Sequence, residues 1–320
     1  MSNFWEKLPK PFFALAPMAD VTDTAFRRII CKYGKPDVTW TEFVSVDGLC
    51  SIGKEKLLID LKYTEGERPI VAQIFGSKPE NFEKVAHMLV EMGFDGIDIN
   101  MGCPVKKVLN QNSCSALIRT PELAQEIILA TMRGAGNLPV SVKTRIGFNK
   151  MEIETWIPQV LETKPAALTV HLRTVKEMSL VPAHWEVMKQ VVELRNKISP
   201  KTLIIGNGDV RDIVHAKELV RQTGCDGIML GRAIFGNPWL FTGYVPNTEE
   251  KLKIMVEHTK LFEELLGKVK NFAIMKKHYK AYVNGFDGAK ELRVKLMECN
   301  NSREVEALVD NFLANPEEVL

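Results

Sequence analysis

Short apolar, β-branched runs recur along the first 235 residues, at 12–17, 38–43, 70–75, 96–101, 140–146, 167–172, 202–206 and 227–230. Between most of them, apolar residues return at helical spacing. Phe82, Val85, Ala86 and Leu89 share one face of 80–92, and Leu123, Ile127, Ile128 and Met132 share one face of 121–132. Segments 154–161, 184–194 and 212–221 keep the same period, whereas 45–64 is less regular. Strands alternating with helices imply parallel βαβ units. Eight of them predict an α/β fold closed as a (β/α)8 TIM barrel, with an open doubly wound sheet as the alternative.

After Leu240 the pattern changes. Residues 243–248 read as a linker, and 249–266, 272–283, 287–297 and 302–313 as helices, with no strand among them. The predicted organisation is a barrel over 1–242 followed by a small all-α helical domain over 243–320.

Composition adds little: 45% hydrophobic and 26% charged residues is an ordinary globular balance. The net charge of +2 matters less than where the charge lies. Across 268–295, Lys268, Lys270, Lys276, Lys277, Lys280, Lys290, Arg293 and Lys295 face only Asp287 and Glu291. Such a cluster is either a footprint for a polyanion or a solvated helix face. The six cysteines are scattered and form no C-x-x-C pair, which argues against a disulfide framework or a zinc site. Reduced thiols in a cytosol are the better reading, and no metal site is expected. The N-terminal segment carries no signal-peptide core, and no run approaches the ~20 apolar residues of a membrane span. A cytoplasmic protein without membrane attachment, and a monomer, is the expectation.

In a barrel of this kind the chemistry gathers at the C-terminal ends of the strands. The first ends in Ala16-Pro17-Met18-Ala19-Asp20, where small residues admit either a flat ligand or an ordinary turn. The third carries Gln73, an amide in an apolar strand that needs partners. The fourth ends in Asn100-Met101-Gly102-Cys103-Pro104, which places a thiol for chemistry on a stiff loop. Lys143 and Arg145 in the fifth lie two apart and share a face, suited to an anion or to an internal ion pair. His171 closes the sixth. The seventh and eighth end in Gly206-Asn207-Gly208-Asp209 and Gly231-Arg232. Glycine-rich turns at these two positions are the usual phosphate cradle of the fold. No Walker A or G-x-G-x-x-G pattern points to another nucleotide site.

Together these residues resemble the tRNA-dihydrouridine synthase family over essentially the whole chain, most specifically in Asn100-Met101-Gly102-Cys103-Pro104. The resemblance implies an FMN- and NADPH-dependent oxidoreductase that reduces the C5–C6 bond of a uridine in tRNA. It implies FMN contacts from Pro17, Met18, Ala19, Gln73, Lys143, His171, Asn207, Gly208, Asp209, Gly231 and Arg232. It makes Cys103 the catalytic acid, protonated at rest as an ordinary thiol would be. Asn100, Arg145, Lys276, Lys277, Lys280 and Arg293 are then expected to meet the RNA. Leu172, where the family often has glycine, and the glycine-poor loop 106–117 depart from the pattern. The alternatives are a small-molecule FMN dehydrogenase of the dihydroorotate or dihydropyrimidine type, an enzyme acting on ribosomal RNA, and an RNA-binding protein on an inactive barrel.

Overall fold

Nine short segments of the chain extend and pair: β1 (Phe12–Leu15), β2 (Thr39–Trp40), β3 (Val44–Ser45), β4 (Ile70–Phe75), β5 (Gly96–Met101), β6 (Val140–Arg145), β7 (Ala167–His171), β8 (Leu203–Asn207) and β9 (Gly227–Leu230). The computed structural model describes residues 3–314. The strands run in the order β1-β9-β8-β7-β6-β5-β4-β2, and every pairing is parallel. A bridge between Ala14 and Val38, with the Asp37 N–H on the Phe13 carbonyl at 2.9 Å, brings the last strand back to the first. Both β2 and β3 pair with β4, so they are two pieces of one stave in a barrel of eight. The expected strand 38–43 is broken because the Thr41 hydroxyl accepts the Gln73 N–H at 3.1 Å, in place of a backbone carbonyl.

The helices between strands follow the predicted amphipathic segments closely. Pro79–Glu91 and Pro121–Ala135 each open on proline, whose missing N–H is an orphan in the first turn anyway. The two pack tightly: a Cβ at Gly134 would lie 2.1 Å from the Glu83 carbonyl oxygen, so only glycine permits the contact. The irregular stretch 45–64 holds two single-turn helices and a 3-10 turn. Inside the barrel, Ala14, Val71, Ala167, Ile205 and Met229 form one buried cluster. Trp5, with its ring 5.8 Å from Phe12 and 6.0 Å from Trp40, joins that cluster beside the starts of the strands.

The chain divides into two compact units, one of residues up to 19 with 36–231, the other of 20–35 with 232 onward. The second unit therefore begins earlier than the expected boundary at 243. It also recruits the helix Thr24–Gly34, which Asp23 caps through the Phe26 N–H at 2.9 Å. Its other helices are Thr248–Leu266, Ala273–Tyr282, Ala289–Glu298 and Ser302–Ala314, and residues 315–320 of the expected tail lie outside the described residues. No helix among the described residues is long and apolar enough to cross a membrane.

The core of this unit contains two fully buried imidazoles. His258 and His278 meet edge to face at 4.8 Å, packed against Phe26 and Tyr282. None of their four ring nitrogens finds a hydrogen-bond partner among the described residues. Burial pushes His278 down to about 4, aided by the Lys277 charge, and pushes His258 well below its ordinary value. Both are neutral when folded. As pH falls below 6.5 the unfolded chain takes up protons that the folded chain refuses, so stability is lost between pH 6.5 and about 4. His278 alone should account for roughly 3 kcal/mol of that loss. Unfolding of the full chain should thus show a steeper acid dependence than that of a His258→Phe, His278→Phe variant. Parallel profiles for the two would refute the assignment.

Candidate functional site

At the mouth of β5 a chain of hydrogen bonds leads from the barrel interior to Cys103. Asp98 is fully buried, and its two oxygens accept from the Ser141 hydroxyl at 2.6 Å and the Gln73 amide at 2.7 Å. Gln73 must therefore turn its carbonyl oxygen away, and that oxygen accepts from the Asn100 amide at 3.0 Å. Asn100 in turn presents its own oxygen to the N–H groups of Gly102 and Cys103, at 3.0 and 3.1 Å. A carboxylate is an acceptor only, so its charge fixes the polarity of every amide beyond it. Burial raises Asp98 to about 6, while the Gln73 and Ser141 bonds and the Lys143 charge hold it down. It is mostly ionised at neutral pH.

β6 supplies the cations. Lys143 and Arg145 share a face, as their spacing requires. One Lys143 N–H goes to the Asn207 side chain at 3.2 Å, and Asn207 donates to the Met229 carbonyl at 2.8 Å. Burial, reinforced by the Arg145 charge, lowers Lys143 to about 8. Arg145 is buried and spends its donors on carbonyls, of Gly102 at 2.8 Å, Thr174 at 3.0 Å and Met178 at 2.9 Å. It ties the Cys103 loop to the loop after β7.

At the ends of β7 and β8, Arg173 pairs with Asp209 and lies 3.2 Å from the His171 ring. The Asp209 carboxylate also accepts the Ala183 N–H at 2.9 Å. Asp209 thus holds protein groups through one carboxylate oxygen. Gly208 has φ +133°, and a Cβ there would strike Ala183 at 2.8 Å. At the end of β9 a Cβ on Gly231 would lie 3.7 Å from Ala16 and 3.9 Å from the Met18 sulfur. The mouths of β1, β8 and β9 are therefore lined by small residues, with Pro17 partly exposed and Ala19 exposed beyond them.

Cys103 is partly buried on its loop. The neighbouring Cys114 side chain pulls its thiol down to about 6. Burial opposes this, while the Val105 N–H and the charges of Arg145 and Lys143 add to it. The surroundings therefore hold this sulfur below the ordinary thiol range, a shift that the sequence alone did not suggest.

The barrel brings together Gln73, Asn100, Cys103, Lys143, Arg145, His171, Asn207 and Gly208 at the exits of β4 to β8. Gln73 and Asn100, expected to face ligands, direct their side chains to each other and to the Cys103 loop. Arg232 is exposed, opens a 3-10 turn and is grouped with the second unit. In that unit Lys276 donates to the Met297 carbonyl at 2.6 Å and Arg293 to the Val283 carbonyl at 2.7 Å. Lys277 stands 3.6 Å from Asp20, and Lys280 is exposed. Sequence reasoning missed Asp98, Cys114 and Arg173. The signal for Asp98 was present, a carboxylate two residues before Asn100 in an apolar strand.

A family model described as dihydrouridine synthase matches residues 14–317. The probable tRNA-dihydrouridine synthase of Staphylococcus aureus (strain COL) is 43% identical over 321 residues, spanning 99% of this chain and 97% of that protein. The probable tRNA-dihydrouridine synthase 2 of Bacillus subtilis (strain 168) is 44% identical over 315 residues, spanning 97% and 96%. Among solved structures, morphinone reductase shares the fold at 11% identity and a TM-score of 0.54, covering 74% of this chain and 86% of that one. Histamine dehydrogenase from Rhizobium sp. 4-9 does so at 13% identity and a TM-score of 0.51, covering 83% and 50%. At such identities the two structures speak for the fold alone.

The ionisation of Cys103 can be measured directly. Its alkylation by iodoacetamide, followed by peptide mass mapping, should rise with pH through a midpoint near 6. A midpoint above 8 would contradict the thiolate.

Proposed function

The chain belongs to the dihydrouridine synthase family, and from that premise we propose that it reduces the C5–C6 bond of a uridine in tRNA to 5,6-dihydrouridine, using FMN held in the barrel and NADPH as reductant. The observation that carries this reading is the fixed position of Cys103 at the barrel mouth, on the loop that Asn100 and Arg145 hold. The barrel fits a flavin. Small residues at the exits of β1, β8 and β9 leave room for a flat ring and a phosphate, and Gly208 tolerates no side chain. Lys143 keeps donors beyond its bond to Asn207 and remains mostly cationic at neutral pH, which suits an anionic ring edge. Pro17, Met18, Ala19 and His171 complete the cradle, with the backbone of Asn207, Gly208, Asp209 and Gly231 toward the phosphate.

Bound flavin, once reduced, supplies the hydride for C6 of the uracil. Cys103 gives the proton to C5. Its S–H bond breaks, the C5–H bond forms, and the electron pair stays on sulfur. An uncharged pyrimidine against the sulfur disfavours the thiolate, so as substrate enters the sulfur takes a proton from water before the site closes, and holds it as S–H for transfer. The uridine must leave the RNA stack to reach the mouth, as in other enzymes that work on a base. Lys277 and Lys280, with the rest of the cluster in 268–295, hold the sugar–phosphate backbone. Lys276 and Arg293 add charge there while tying down the carbonyls at helix ends.

Two experiments test this reading. Cys103→Ala enzyme should purify with its yellow FMN spectrum and lose most dihydrouridine formation on a tRNA transcript, and full activity would remove the acid role. Lys277→Ala with Lys280→Ala should weaken tRNA binding and lower the slope of log affinity against log salt by about two. An unchanged slope would refute the RNA-contact assignment.

A further inference from the structure

We propose that Met178 and Leu180, at the tip of the loop after β7, pack against the tRNA bases beside the extruded uridine and replace the stacking that the uridine gives up. This rests on the reading above that the chain reduces a uridine in tRNA. Both side chains are large, apolar and exposed, Met178 at 49% and Leu180 at 83%. The backbone that carries them is nonetheless pinned on both sides. Before the tip, buried Arg145 donates to the carbonyls of Thr174 at 3.0 Å and Met178 at 2.9 Å. There too the N–H groups of Val175 and Lys176 donate to the carbonyls of Gly147 and Phe148, each at 3.0 Å. After the tip, buried Arg173 donates to the Val181 carbonyl at 2.6 Å, and the His184 N–H donates to the Leu172 carbonyl at 2.8 Å. Met178 is held at φ +52°, a left-handed backbone that residues other than glycine, asparagine and aspartate rarely take. Exposed apolar side chains on so firm a frame mark a contact surface.

The place of the tip identifies what it meets. The Arg145 guanidinium that holds the Met178 carbonyl also holds that of Gly102, so the tip stands beside the Cys103 loop at the barrel mouth. Val105, two residues past Cys103, is exposed as well; exposed Lys106 and Lys107 follow it, and exposed Lys176 precedes the tip. The nearby acids are engaged within the loop. Glu177 accepts the Thr174 N–H at 2.7 Å, and both Glu177 and Glu186 lie 3.1 Å from the His184 ring. Apolar side chains flanked by lysines match RNA, which is anionic along its backbone and apolar on its base faces. A base drawn out of a stack bares the faces of its neighbours, and apolar side chains set against such faces offset the lost stacking. Met178 and Leu180 meet those faces, while Lys106, Lys107 and Lys176 meet the phosphates.

The test uses two variants of the flavin-loaded full-length protein. Met178→Asn with Leu180→Ser makes the tip polar while suiting its left-handed backbone, and Met178→Leu with Leu180→Met keeps it apolar. Affinity for a tRNA transcript is measured across a range of salt concentrations. The polar tip should bind at least about tenfold more weakly, because two apolar side chains lose their burial. The slope of log affinity against log salt should stay at the wild-type value, because no cation is removed. The apolar swap should bind as wild type does. Equal affinity for the polar tip and wild type, with flavin content retained, would overturn the proposal, and so would an equal loss in the apolar swap. This readout does not require dihydrouridine formation. A loss of affinity confined to the polar tip, in an enzyme that modifies no tRNA, would sustain the contact and refute the functional reading. An unchanged affinity in an enzyme that does form dihydrouridine would do the reverse.

Discussion

One buried carboxylate sets the geometry at the barrel mouth. Asp98 can only accept hydrogen bonds, so Gln73 must donate to it, Asn100 must donate to Gln73, and the Asn100 oxygen is left for the Gly102 and Cys103 N–H groups. A loop that would otherwise sample many conformations is held in one by a charge at the far end of the chain of bonds. A buried network of this kind is worth having only when every member is satisfied, and here each amide has a partner on both sides. Arg145 fixes the same loop from β6 through the Gly102 carbonyl. The sulfur is thus delivered to the mouth by backbone anchors on either side of it, and its chemistry depends on that placement.

The same economy explains the charge pattern. Lys143 and Arg145 are costly to bury, and each carries a depressed proton affinity as a result. The two cations favour a negative sulfur and leave Lys143 with donors facing the barrel interior. A site that must hold an anionic cofactor edge and generate a transient thiolate gains from both effects.

Much of this was legible in the sequence because the period of apolar residues is set by the backbone. The eight staves, the helices 80–92 and 121–132, and the tail helices follow directly from it, and the strand ends named residues that the barrel gathers at its mouth. What pattern does not carry is tertiary pairing. The break in the second stave comes from Thr41 reaching across to Gln73. The helix Thr24–Gly34 joins the second unit through contacts far along the chain. Cys114 looked like one more scattered thiol because 11 positions and a turn separate it from Cys103 in the sequence. The lowered proton affinity of Cys103 was not legible for the same reason: its proton is governed by neighbours that only the fold assembles. Gln73, Asn100 and Arg145 stood out in the sequence, and the fold adds that their side chains help to hold the loop.

The forced polarity of the Asp98 chain is tested most directly by Asn100→Asp. This change keeps an acceptor for the Gly102 and Cys103 N–H groups but sets a carboxylate oxygen against the Gln73 carbonyl. Single-turnover reduction of a tRNA transcript, with flavin content matched to wild type, should slow by at least about tenfold, the equivalent of ~1.4 kcal/mol on the barrier. A rate equal to that of wild type would show that the order of donors and acceptors does not hold Cys103 in place.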